Sequence, residues 1–297
     1  MSISSYKLLQ ISAIATFVGR GFQYFFRDVP LRVVLWDEEF LSPILAMFGI
    51  AWQSYTTNPQ TEQNILFFQK SIGIVFFLAA IFVFFQEKIN NSLLKKTSKF
   101  IVIFGVLNLV FLAFCYSKDH FFHLGQFFEY AIQVGCCVAM LSPTLKGDGV
   151  MQIKLTTNFQ FAVSLIFCLK ILCALTFSCH GLYAMNVYTT PVEYISMMMN
   201  GFALEEKMAK NALLYIGIVD IVVSILIFFP KKIASAALYY MAFWGFLTCI
   251  GRIYGYYHEG LFLVVLEQYW FHALYRIGHF LVPAAVIKNQ KYCKKQR

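Results

Sequence analysis

Charge is what this sequence has least of. Only 13% of its 297 residues are Asp, Glu, Lys or Arg, about half the ~25% of an ordinary soluble domain, which excludes a soluble globule with a normal polar surface. The recognisable chemical motifs are missing too. There is no glycine loop that would cradle a phosphate, no HExxH zinc helix, no CxxCH haem site and no triad signature. Zinc-type CxxC spacing is also absent. The eight cysteines fall mostly within or at the ends of apolar stretches, so small-residue packing is the expectation, and no metal site is assigned. Cys136 and Cys137 are adjacent, a geometry that disulfide stereochemistry disfavours. No low-complexity tract is present, and no space is left for a soluble domain.

What is abundant is hydrophobic surface: 59% of residues are hydrophobic, with 33 Phe. A membrane-crossing helix needs ~20 mainly apolar residues. Eight stretches qualify, at about Tyr6–Phe26, Ile65–Phe85, Phe100–Tyr116, Phe122–Leu141, Phe161–Leu182, Ala212–Phe229, Ile233–Ile250 and Trp270–Ile287. The first carries Arg20 in its far half and lacks a small-x-small cleavage site, so it reads as a helix rather than a signal peptide. An additional outer-face helix is expected at about 29–54, where Val33, Val34, Leu35 and Trp36 meet Asp37, Glu38 and Glu39.

The net charge of +9 is unevenly distributed. With alternating crossings, fourteen Lys and Arg, including Lys7, Lys88, Lys95, Lys231 and Lys288, fall on one side and six on the other. That bias predicts cytoplasmic N- and C-termini. The basic tail then serves orientation and contact with anionic lipid, and a nucleic-acid partner is not expected.

The chain also echoes itself. TFVGRGF at Thr16 returns as TFSCHGL at Thr176, offset by 160 residues, with His180 in the place of Arg20. Ile72, Gly73, Ile74 and Val75 return as Ile216, Gly217, Ile218 and Val219, offset by 144. FFEYAIQVG at Phe127 parallels WFHALYRIG at Trp270, which sets Glu129 opposite His272 and Gln133 opposite Arg276. The expected fold is therefore all-α and polytopic: about eight transmembrane helices in two parallel four-helix repeats, residues 1–150 and 151–297, related by an axis along the membrane normal.

Polar residues inside the apolar stretches are the candidates for function, because a charge at the bilayer centre costs ~3 kcal/mol even on lenient scales. His272, Arg276 and His279 lie on one helical face. Glu129 is expected to meet Arg276 or His272, either as a site or as a structural ion pair between bundles. Arg20 and His180, each followed by a glycine that admits a neighbouring backbone, are candidates for a shared pocket, although a lone histidine is more often a satisfied core residue. Asp37, Glu38 and Glu39 are expected to meet Arg20 or Arg32, or simply to be solvated. Lys170 and Asp220 are expected to be mutual counter-ions, serving charge neutralisation or proton movement. His120 and His123 would need a third ligand to hold a metal. No catalytic residue is assignable.

Several segments of the second half resemble DoxX-like membrane proteins: CHGLYAM at Cys179, PVEYI at Pro191, LEEKMAK at Leu204, YIGIVDIVVSILIFFP at Tyr215, FWGFLTCIGR at Phe243 and ALYRIGHFLVP at Ala273. The first half fits more loosely, and RGFQYFFRDVPLRVVLWDEEFLSPI at Arg20 resembles the exit of the first helix in the HTTM family. The DoxX resemblance implies a bacterial-type inner-membrane protein linked with quinone-coupled oxidation and membrane oxidoreductase complexes. On that basis the expected function is a redox-accessory subunit, or one binding a quinone or similar amphipathic ligand. Arg20, Glu129, His180, His272 and Arg276 would line the pocket, His180 or His272 would exchange protons, and Phe22, Tyr24 and Tyr183 would stack on the ring. The alternatives are a small-anion or proton-coupled transporter and a non-catalytic scaffold.

Overall fold

The computed structural model describes residues 3–142, 158–257 and 260–292, and among them the only regular secondary structure is helical. The expected junction at Lys146 to Lys154, including the 150/151 boundary, and the tail residues Lys294, Lys295 and Arg297 lie outside the described residues.

Fourteen helices are described. They are α1 (Ser5–Phe26), α2 (Arg32–Leu35), α3 (Glu38–Ala46), α4 (Trp52–Thr57), α5 (Pro59–Phe85), α6 (Ser92–Asp119), α7 (Leu124–Phe128) and α8 (Ala131–Ala139). They continue as α9 (Asn158–Ala184), α10 (Val192–Phe202), α11 (Glu206–Leu226), α12 (Lys231–Tyr254), α13 (Phe262–Arg276) and α14 (Gly278–Tyr292). Five of them, α5, α6, α9, α11 and α12, are long and apolar enough to cross a membrane. Their exposed surface is itself apolar, with Phe67 and Ile81 on α5, Leu107 on α6, Ile225 on α11 and Phe243 on α12 all open. Such a shell suits lipid and would be a liability in water.

Helix starts follow the local chemistry. Ser4 accepts from the Lys7 amide at 3.1 Å at the start of α1, and Asn91 accepts from the Leu93 amide at 2.9 Å at the start of α6. Pro59 stands in the first turn of α5, where its missing N–H costs nothing. The expected outer-face helix is instead three short ones, α2, α3 and α4. Asp37 caps α3, accepting from the Phe40 amide at 2.8 Å, with Glu38 and Glu39 in the first turn beside the positive end of the helix dipole. This cluster does not meet Arg20 or Arg32. Asp37 pairs with Lys118 of α6, and Arg32 pairs with Asp28 and Glu62. The Lys118 ammonium, followed by the Phe40 amide, holds the Asp37 carboxyl below its usual range.

α1 is central. It packs against α5, α8, α13 and α14, while α9 packs against α11, α8 and α14, and α12 against α11, α13 and α14. Glycines set two of these crossings. A methyl group on Gly21 would sit 3.2 Å from the Gly73 carbonyl oxygen, and one on Gly181 would sit 2.7 Å from that of Gly217. Backbone approach of this kind is how membrane helices gain contact without a hydrophobic drive between them.

Gly181→Ala is therefore expected to lower stability by ~1–3 kcal/mol, because a backbone carbonyl cannot step aside. Gly251→Ala, whose methyl would meet only the Met197 sulfur at an ordinary 3.7 Å, should be neutral or slightly stabilising. Thermal unfolding in mild detergent checks the contrast, and equal midpoints for the two variants would contradict the crossing geometry.

Candidate functional site

Two apolar stretches are interrupted. α7 and α8 are separated at Glu129 and Tyr130, and α13 and α14 at Ile277. Pro283, within α14, has no amide hydrogen and so cannot bond the His279 carbonyl one turn back. Gly245 of α12 packs there, where a methyl group would come within 2.4 Å of the same oxygen. Irregular backbone among apolar helices needs protein or a polar cavity beside it. Such a cavity lies here, about 200 Å³ in volume.

All six ligand-site candidates line it: Arg20, Glu129, His180, His272, Arg276 and His279. Their partners differ from the sequence expectation. Glu129 meets neither Arg276 nor His272 but accepts from the Tyr194 hydroxyl at 3.0 Å and lies 3.0 Å from His180 Nδ1. At the break between α7 and α8, the Glu129 carboxylate faces His180 of α9 and Tyr194 of α10. Arg20, only 1% exposed, donates to Gln133 Oε1 from Nε at 3.0 Å and from Nη2 at 2.9 Å. It also donates to Gln23 Oε1 at 2.6 Å. Its guanidinium lies 3.6 Å from the ring centre of Tyr275 and 4.7 Å from that of Tyr130, a desolvated cation–π arrangement worth ~2 kcal/mol.

Arg276 donates to the Tyr275 hydroxyl at 3.0 Å, and among the described residues no carboxylate forms an ion pair with it. His272 packs among Tyr269, Phe271 and Tyr275. His279 Nδ1 lies 2.9 Å from the Arg276 carbonyl. A carbonyl only accepts, so Nδ1 carries the hydrogen and a neutral ring keeps its lone pair on Nε2. That Nε2 is buried and has no hydrogen-bond partner among the described residues.

Lys170 and Asp220 are not counter-ions. Lys170 donates to the Ile227 carbonyl at 2.9 Å, closing the C-terminal end of α11, and Asp220 accepts from the Tyr240 hydroxyl at 3.0 Å. The helix end supplies Lys170 with an acceptor and a favourable dipole, so neither group needs the other. The ring-stacking aromatics were also misplaced. Phe22 packs on Trp270, Tyr24 on Phe76 and Tyr183 on Tyr188, whereas the aromatics lining the chamber are Tyr116, Tyr130, Tyr194 and Tyr275. His123 stacks on Tyr188, and among the described residues no three metal-binding side chains converge.

The sequence reading missed α10 and Arg252. α10 supplies Tyr194 and Glu193 to the chamber, and Glu193 pairs with Arg252, itself 5% exposed. A signal existed, since Arg252 closes the apolar run FWGFLTCIGR just as Arg20 closes the first one. A second cavity of about 200 Å³, mostly apolar, shares His180, Tyr194, Arg252, Arg276 and His279 with the polar one.

No family model matches this chain, and neither a curated protein nor a solved structure matches it.

Breaking the buried Glu129 cluster should be costly. Glu129→Leu is expected to lose ~3–5 kcal/mol, because it leaves His180 and Tyr194 facing an apolar group. Glu129→Gln, which still accepts from Tyr194, should lose less. Equal thermal midpoints for the two variants in detergent would show that the carboxylate is not bonded in this way.

Proposed function

We propose that this protein binds a small amphipathic molecule, with a quinone as the leading candidate, in the polar chamber of an eight-crossing bacterial-type inner-membrane fold. The eight crossings are α1, α5, α6, α7–α8, α9, α11, α12 and α13–α14, with both termini cytoplasmic. They form two DoxX-like repeats of four. The packing supports this duplication, because the α1–α5 crossing through Gly21 and Gly73 has its counterpart in the α9–α11 crossing through Gly181 and Gly217. Likewise, α1 against α13–α14 corresponds to α9 against α7–α8. Arg20 and His180 stand next to the paired glycines and face the same chamber. The DoxX-like assignment itself rests on the sequence segments alone.

The observation that carries the binding reading is the convergence of six polar side chains, from four separate apolar stretches, on one cavity. Uncompensated polar groups at this depth are expensive, and a bound polar head would satisfy them. A quinone head suits the donors. Its carbonyl oxygens only accept, matching Arg276, and the hydroxyl of a quinol would donate to His279 Nε2. The rings of Tyr130 and Tyr275 offer flat faces, and His180 and His272 stand where protons would be exchanged. Electrons would come from a partner membrane oxidoreductase, which makes this chain an accessory subunit.

Transport of a small anion is the second reading, and the two interrupted helices favour it, since discontinuous helices frame the binding sites of many transporters. Uptake of a labelled anion into proteoliposomes would select it.

Mass spectrometry of an organic extract of the purified protein is the test. Wild type should carry a stoichiometric quinone that His272→Ala and Arg276→Ala lose while remaining folded. A folded wild type without quinone, or variants that keep it, would contradict the reading.

A further inference from the structure

We infer that the apolar cavity beside the polar chamber holds the hydrocarbon tail of the ligand, and that the ligand slides in sideways from the bilayer between α10 and α12. This deepens the binding reading above and rests on the polar chamber taking the head.

The two cavities form one bipartite site. His180, Tyr194, Arg252, Arg276 and His279 stand in the wall common to both. On the far side of that wall the lining turns mostly apolar, with Phe177, Met198, Leu213 and Trp244; its one carboxylate, Asp220, is engaged by the Tyr240 hydroxyl at 3.0 Å. The rim residues Phe202, Ile250 and Tyr254 are 60%, 46% and 54% exposed, so the mouth opens on the apolar outer surface where lipid chains lie. Each cavity is about 200 Å³, and together they fall within the ~300–1,000 Å³ of small-molecule sites. A longer chain would continue through the mouth into the bilayer.

The shared wall itself points to a ligand. His279 is 2% exposed, and its Nε2 has no partner there. Arg252, 5% exposed, has no partner at Nε among the described residues either. Arg276 stands beside them, forming no ion pair with a carboxylate among the described residues. Donors and an acceptor left open at the meeting point of a polar chamber and an apolar one are matched by the junction of a polar oxygen head and an apolar chain. The class is therefore a single-tailed amphiphile with an oxygen-bearing head, delivered from the membrane rather than from water.

Trp244 lies in the apolar wall and provides the readout. In a variant retaining it alone (Trp36→Phe, Trp52→Phe, Trp270→Phe), reconstituted in phosphatidylcholine nanodiscs, a fatty acid brominated at mid-chain should quench its fluorescence saturably. Thr248→Phe, which fills the cavity, and Gly251→Phe, which blocks the mouth, should each weaken the saturable component by about tenfold or more, and Arg276→Gln by a similar factor. Unfolding midpoints near that of the parent confirm that each variant is folded. Quenching that merely rises with the mole fraction of probe and is indifferent to Thr248→Phe and Gly251→Phe overturns the tail cavity. An affinity unchanged in Arg276→Gln overturns the bipartite pose.

The two readings fail separately. Quinone lost from Arg276→Ala extracts, together with non-saturable Trp244 quenching, keeps the polar chamber and removes the tail cavity. Saturable quenching sensitive to all three variants, with no quinone in any extract, keeps the bipartite site and replaces the quinone with another head.

Discussion

A guanidinium with 1% of its surface exposed inside a bundle of Phe, Leu and Ile is a heavy constraint on a fold, and Arg20 imposes it here. Every group that makes its burial tolerable comes from a defined place: Gln23 from its own helix, Gln133 from α8, Tyr130 from the break before α8 and Tyr275 from α13. Tyr116 of α6 then holds Gln23, accepting from its amide at 2.9 Å. Helices that lipid would otherwise let drift are thereby fixed in rotation and depth around one charge. Membrane helices have little hydrophobic reason to prefer each other over lipid, so a polar hub of this kind and the glycine crossings beside it set the register.

The same hub accounts for the chamber. Arg20, the Glu129–His180–Tyr194 cluster and Arg276 surround the cavity, and the backbone breaks at Glu129 and Ile277 lie beside it. The broken helices and the cavity are two aspects of one arrangement: irregular backbone needs a polar surround, and the polar side chains need room. The chamber alongside has a mostly apolar lining, and Arg252 and His279, common to both, each carry a buried nitrogen with no partner among the described residues.

Much of this was legible in the sequence because charges inside long apolar stretches are rare and costly. Arg20, Glu129, His180, His272, Arg276 and His279 could be singled out on cost alone, and they do surround one cavity. Their partners could not be read. Where every face of a helix is apolar, periodicity gives no rotation, so the sequence points Glu129 to Arg276 or His272, whereas beside the break it meets His180 and Tyr194. Lys170 and Asp220 matched in depth, but depth says nothing of azimuth, and each found a nearer partner in a helix end or a tyrosine. Tyr194 and Glu193 escaped notice because α10 is a short segment of 11 residues, below the length at which an apolar run announces a crossing.

The claim that a buried arginine hub organises the bundle is tested most directly by a double-mutant cycle on Arg20 and Gln133, read by equilibrium unfolding in mixed detergent. Arg20→Met and Gln133→Leu should each destabilise. The double variant should lose less than their combined cost by ~1–3 kcal/mol, because removing both partners leaves neither a stranded Arg20 charge nor an orphaned Gln133 amide. Additivity within ~0.5 kcal/mol would mean that the two side chains do not interact, and the bundle would then owe its register to something other than Arg20.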